Sequence, residues 1–144
     1  QVSDSESDSE GGEGRQLRPP GDPALAQARR VGAGLRSLEL RAAELERLQE
    51  LALGSPLPPP ELQRDLQRLR DEIQELTREI RGGLRGLEPP KEDEENPKSF
   101  GARVRRTQHG VLAQQFFGVT GRLQAAQARY RQRSLDRLRR QLLI

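Results

Sequence analysis

Cysteine, methionine and tryptophan are absent from the 144 residues, and the chain has one His, one Tyr and three Phe. Without Cys there is no disulfide framework, no thiolate metal site and no cysteine nucleophile. His109, the sole histidine, cannot build a metal site without carboxylate help. A run of about 18 apolar residues is lacking, and the N-terminus is acidic where an export signal would be basic and then apolar. The expectation is a soluble chain. The glycines form no phosphate-loop pattern and the acids are spaced along helix surfaces, so no catalytic, cofactor-binding or metal-binding residue is assigned, and an enzyme is not expected. Aromatic residues make up 3% and apolar residues 32%, too few for a large core around a catalytic cavity and suited to one slender helical domain.

What the chain does have is charge, 33% of its residues, and leucine at regular intervals. In Glu61 to Leu87, the residues Leu62, Leu66, Leu69, Ile73, Leu76, Ile80 and Leu87 fall at alternating gaps of four and three, with Gly83 in the one missing place. This is a heptad seam sustained over more than three heptads, and it predicts a helix roughly 40 Å long packed lengthwise on other helices. Glu61 with Arg64, Asp65 with Arg68 and Glu75 with Arg78 are three apart on its surface. Each such pair adds only about 0.2–0.5 kcal/mol, so the seam must hold the helix in place. The stretch reads as the one around which the rest is organised.

The chain in order supplies two partners. Residues 1–21, QVSDSESDSEGGEGRQLRPPG, are rich in acid, Ser and Gly and predict a disordered acidic tail. Ser3, Ser5 and Ser7 each precede an acid by three residues and are candidate sites for an acidophilic kinase, against the plainer reading of a solvated tail. Asp22-Pro23 is a helix-start pair. From Ala24 to Leu53, Val31, Leu35, Leu38, Ala42 and Leu45 alternate four and three, then the seam slides onto Leu48 and Ala52; Gly32 and Gly34 each cost about 1 kcal/mol relative to Ala, making this the weaker helix. Gly54-Ser55-Pro56-Leu57-Pro58-Pro59-Pro60 ends one helix and starts the next, and its length implies antiparallel neighbours. After an acidic, Pro-bounded loop (Glu88 to Lys98), Ser99 offers a cap for a third helix. Its seam is Leu112, Phe116, Val119, Leu123, Ala126 and Tyr130, with Val104, Leu138 and Leu142 extending the apolar face less regularly, and Gly110, Gly118 and Gly121 weaken it. The expected fold is all-α, an antiparallel up-down-up three-helix bundle with coiled-coil-like packing over residues 22–144, with helices about 23–53, 61–87 and 99–142.

Charge is polarised along the chain. Residues 101–144 hold ten Arg against Asp136 alone, about +9, which leaves about −6 for the first hundred residues in a chain of net charge +3. Arg129, Arg131, Arg133, Arg137, Arg139 and Arg140 make a dense basic end. Weak contact with anionic lipid fits it, as does simple solubility; with no aromatic beside Tyr130 to stack bases, specific nucleic-acid binding does not.

The segments RVRRTQHGVLAQQF (Arg103 to Phe116) and YRQRSLDRLRRQLLI (Tyr130 to Ile144) resemble the third helix of the N-terminal regulatory domain of plasma-membrane syntaxins. LRDEIQELTREIR (Leu69 to Arg81) resembles the second helix, and LALGSPLP (Leu51 to Pro58) the loop before it. The likeness is greatest to the syntaxin-four branch; it is dense over the second and third helices and sparse over the first.

The resemblance implies a module that controls SNARE complex assembly in vesicle docking, exocytosis and membrane fusion. In the family, the groove between the second and third helices holds the protein's own SNARE helix in a closed state, usually with a Sec1/Munc18-type partner. The SNARE helices of SNAP-type and vesicle SNARE proteins engage the part that would follow Ile144, and the full-length protein sits on the cytoplasmic face of the plasma membrane. Starting on Gln1 and stopping on Leu142-Leu143-Ile144, the chain reads as a fragment lacking the SNARE helix, the membrane anchor and the short basic N-terminal peptide.

Arg105, Arg106, Gln108, His109, Gln115 and Arg122 are the residues expected in the groove, with a solvated helix face as the plainer reading of Arg105, Arg106 and Gln108 and a hydrogen-bonded core-edge histidine as that of His109. Two other functions compete: a stand-alone coiled-coil scaffold whose seams pair between copies, and a basic adaptor for anionic membranes.

Overall fold

The computed structural model of the chain describes residues 23–88 and 99–143. Three helices fill them: α1, Pro23–Gly54; α2, Pro60–Gly86; and α3, Phe100–Leu142. Among the described residues there is no strand. The acidic tail with Ser3, Ser5 and Ser7, the Asp22 cap and residues 89–98 of the acidic loop lie outside the described residues.

Local chemistry sets the helix ends. Pro59 is extended (φ −63°, ψ 150°) and Pro60 takes the first turn of α2, where a missing N–H costs nothing. The Pro59 carbonyl accepts from Leu62 N at 3.0 Å and Gln63 N at 3.3 Å. At the head of α3 the Ser99 hydroxyl accepts from Ala102 N at 3.1 Å, satisfying one of the orphan donors of the first turn.

Contacts along the helices give their directions. Gln27 near the start of α1 reaches Gly83 near the end of α2, and Arg41 reaches Glu72, so α1 and α2 are antiparallel. Glu46, Glu50 and Ala52 of α1 meet Arg122, Arg133 and Arg137 of α3 in the same order, so these two run in parallel. The result is an up-down-up bundle.

The core sits on α1. This helix buries Ala28, Val31, Leu35, Leu38, Ala42, Leu45, Leu48, Gln49 and Ala52, against Leu66, Leu69, Ile80, Gly83 and Leu84 from α2 and Ala102, Val119, Leu123 and Ala126 from α3. Both α2 and α3 pack along α1, whereas they meet one another sparsely. The organising helix is therefore α1 and not the Glu61–Leu87 stretch that the seam favoured. A helix packed on one side buries a narrow stripe and shows strong contrast between its faces; a helix packed on two sides buries a wide stripe, and the contrast fades. The slide of the α1 seam onto Leu48, Gln49 and Ala52 is that widening.

Two glycines make the α1–α2 seam close. A Cβ on Gly83 would lie 2.7 Å from Val31 Cγ2, and one on Gly34 would lie 3.0 Å from Ile80 Cγ1. Each helix thus offers a glycine to a branched side chain of the other, and the propensity lost at Gly34 is returned as close packing.

Candidate partner-binding groove

The two sides of α3 are chemically different. Gln108, Gln115 and Arg122 are spaced seven apart and share the flank turned toward α1. The Arg122 guanidinium grips Glu46 with two hydrogen bonds, Nη2 at 2.7 Å and Nε at 2.9 Å, and this pairing holds the Glu46 carboxyl below its ordinary value of 4.5. Gln127 Oε1 accepts from the buried Gln49 amide at 2.6 Å, and Arg133 reaches Glu50 at 2.6 Å. Gln108 lines a cleft of about 510 Å³ between the first turns of α1 and α3, with Leu25, Ala28, Gly32 and Val111 among its walls. Arg122 and Gln108 therefore belong to the α1–α3 contact, which corrects their expected place between α2 and α3. Gln115 is exposed on the same flank.

The other side of α3 faces α2. His109, Phe116, Leu123 and Tyr130 recur every seven residues, and Arg105 lies three turns before Phe116 on that stripe; Arg105, His109, Phe116 and Tyr130 are half-buried. Arg106, next to it, is exposed. Across the gap, Arg70, Ile73, Thr77 and Arg81 share one side of α2 by their spacing of three and four, and Ile73 and Thr77 are half-buried. The Arg70 guanidinium lies over the Tyr130 ring and that of Arg81 over the Phe116 ring, each 5.8 Å from the centroid. Such contacts are worth about 0.5–1 kcal/mol at exposed sites.

A lane therefore runs between α2 and α3. Aromatic and aliphatic groups floor it, and two guanidinium groups bridge it where direct helix contact is thin. Its residues partly differ from those expected: Arg105 and His109 are on its α3 wall, while Arg70 and Arg81 were not anticipated. The available signal was that α2 carries arginines three turns apart on the side next to its seam, and that the only tyrosine and one phenylalanine sit four turns apart on α3. Among the described residues no group of three or more His, Asp or Glu is placed to hold a metal ion, and no helix is long and apolar enough to cross a membrane.

Comparison with known proteins gives the family. The Syntaxin family model matches residues 22–144. Syntaxin-4 of Bos taurus is 42% identical over 129 residues, which are 89% of this chain and 43% of the relative. Syntaxin-4 of Homo sapiens is 40% identical and that of Rattus norvegicus 39% identical over the same span. The chain covers less than half the length of these relatives. With a family match over nearly the whole of the three-helix domain, the chain belongs to the syntaxin family.

Proposed function

We propose that this chain is the regulatory module of a SNARE protein of the syntaxin type, acting on the cytoplasmic face of the plasma membrane. It restrains SNARE complex assembly by holding a SNARE helix in the lane between α2 and α3, with a Sec1/Munc18-type protein engaging the held state. Assembly with SNAP-type and vesicle SNAREs follows release. Syntaxins are SNARE proteins and not enzymes, and the module acts by binding alone.

The observation that supports this reading is the sparse contact between α2 and α3. Both helices are fixed on α1, so the lane persists without an occupant, and a fourth amphipathic helix laid along it would bury Ile73, Phe116 and Tyr130 and complete a four-helix arrangement. Arg70, Arg81 and Arg105 give that helix a preference for acidic flanks.

The test is assembly of a syntaxin SNARE helix with its partner SNAREs, with this chain added in trans. Slower assembly is expected, and only at high concentration, because a covalent tether that supplies an effective concentration near millimolar is absent. Arg70→Gln with Arg81→Gln should reduce the inhibition while the helical signal is kept; Arg122→Gln, which faces α1, should not. Unchanged assembly at large excess, with no shifts of His109 or Phe116 resonances on titration with the SNARE helix, would rule the lane out as the holding site.

A further inference from the structure

We propose that the overhanging end of α3 is a docking surface for an anionic membrane. Helix α3 has 43 residues and α1 has 32, and the two run in parallel. Arg137 Nη1 is held against the carbonyls of Ala52, Leu53 and Ser55 at 3.2, 2.8 and 2.7 Å. The turns after Arg137 therefore project past the end of α1, beside the connection to α2.

Over the last turns of α3 the side chains divide by chemistry. Leu135, Leu138 and Leu142, spaced three and four apart, form one face and are 41%, 52% and 78% exposed. Arg133 and Arg137 turn to α1, where Glu50 and the backbone carbonyls occupy them. Arg131, Arg139 and Arg140 remain exposed around the leucines. Asp136 is the only acid after residue 100, and it meets Arg139 at no closer than 3.9 Å. Leu57, 86% exposed, stands at the same end, two residues after the Ser55 carbonyl that Arg137 grips.

A leucine face rimmed by arginines is the composition of a helix that lies in a bilayer interface, apolar side among the acyl chains and cations among the headgroups. The shape favours a plane over a protein groove: Leu138 and Leu142 follow Arg137, which stands level with the end of α1, and are 52% and 78% exposed. The excess of positive charge, Arg131, Arg139 and Arg140 against Asp136, asks for a surface that is negative throughout, as an anionic leaflet is. The surface is independent of the lane between α2 and α3, which lies on another part of α3.

The test is co-sedimentation of the whole chain with vesicles of phosphatidylcholine alone and of phosphatidylcholine with about a third phosphatidylserine. Binding is expected to the second only. It should weaken as ionic strength rises from about 0.01 to about 0.15 M, which shortens the screening length from about 30 to about 8 Å. Arg139→Gln and Arg140→Gln should each lower partitioning on the order of fivefold, and Leu138→Gln with Leu142→Gln should lower it further, all with unchanged helical content because these side chains are exposed. Equal binding to both vesicles, or phosphatidylserine binding that survives all four substitutions, would overturn the proposal. So would retention on a polyglutamate peptide by a chain that leaves both vesicles unbound, since that outcome assigns the surface to an acidic protein ligand.

Discussion

Arg122 of α3 and Glu46 of α1 meet in a two-pronged ion pair, 2.7 and 2.9 Å, across the seam that joins the longest helix to the central one. Its hydrogen bond to Arg122, with the charges of Arg122 and Arg129 adding to it, lowers the Glu46 carboxyl from its ordinary 4.5, and burial pulls the other way. A carboxyl lowered in the folded state adds stability above its unfolded value and loses it as pH falls through the folded one. The stability advantage of the parent over Glu46→Gln should therefore be full at neutral pH and shrink below about pH 4, read as urea midpoints across a pH series. Glu50, lowered by its hydrogen bond from Arg133, titrates in the same direction. The Glu46 and Arg122 side chains are 29% and 43% exposed, so a double-mutant cycle of Glu46→Gln with Arg122→Gln should give a coupling of only about 0.2–1 kcal/mol. A coupling that persists undiminished at pH 3 would mean that packing, and not charge, joins the two residues.

The glycines separate into those that the fold needs and those that it tolerates. Gly83→Ala gains helix propensity of about 1 kcal/mol, yet its methyl would sit 2.7 Å from Val31 Cγ2 and 3.0 Å from Gln27 Nε2, and overpacking of this kind costs about 1–3 kcal/mol. Net destabilisation is expected. It should shrink when Val31→Ala removes the opposing methyl, so that the double mutant is more stable than additivity predicts. Gly118 and Gly121 have nothing within 4 Å of an added Cβ, and their Ala variants should raise stability by up to about 1 kcal/mol each. Chemical denaturation of the variants measures both effects. A Gly83→Ala variant more stable than the parent would show that α1 and α2 can separate at that point without loss.

Much of this fold is legible in the sequence because its helices obey one periodicity. Leu38, Ala42 and Leu45 fall where the four-three spacing puts them and are almost wholly inaccessible, and Ser99 caps α3 as its position before the Phe100 turn implies. Rank among helices was not legible. The spacing singles out Glu61 to Leu87 because a one-sided helix has the sharpest division of faces, whereas the widened stripe of α1 marks the helix with two neighbours. The side of α3 on which a polar residue falls was equally hidden: Gln108 and His109 are adjacent in sequence but about 100° apart on the helix, so one meets α1 and the other the lane toward α2. Only the bundle's handedness, set by packing between helices, decides which is which.

Arg137 fixes the overhang of α3 on the end of α1. Arg137 donates from Nη1 to the Ala52, Leu53 and Ser55 carbonyls at 3.2, 2.8 and 2.7 Å. These oxygens belong to the last turn of α1 and the residue beyond it, where carbonyls lack intrahelical donors and the helix dipole favours a cation. Gly54 has no side chain to supply a cap, so a side chain from another helix does the work. Arg137→Met keeps most of the aliphatic stem and removes both the charge and the donors. Hydrogen bonds from charged groups contribute about 1.5–3 kcal/mol, and the half-buried position of Arg137 puts the expected loss of global stability near the lower end. Arg137→Lys should recover part of it, since an ammonium group keeps the charge and carries three donors on one nitrogen, as the single Nη1 contact point requires, but stands on a shorter side chain. The local readout is amide exchange: protection of the last turn of α1, around Ala52 and Leu53, should fall in Arg137→Met by more than that of Leu38 or Ala42 in the middle of the helix. Equal loss of protection at both places would assign Arg137 a general packing role, and unchanged protection at Ala52 would mean that the α1–α2 connection holds its own end without help from α3.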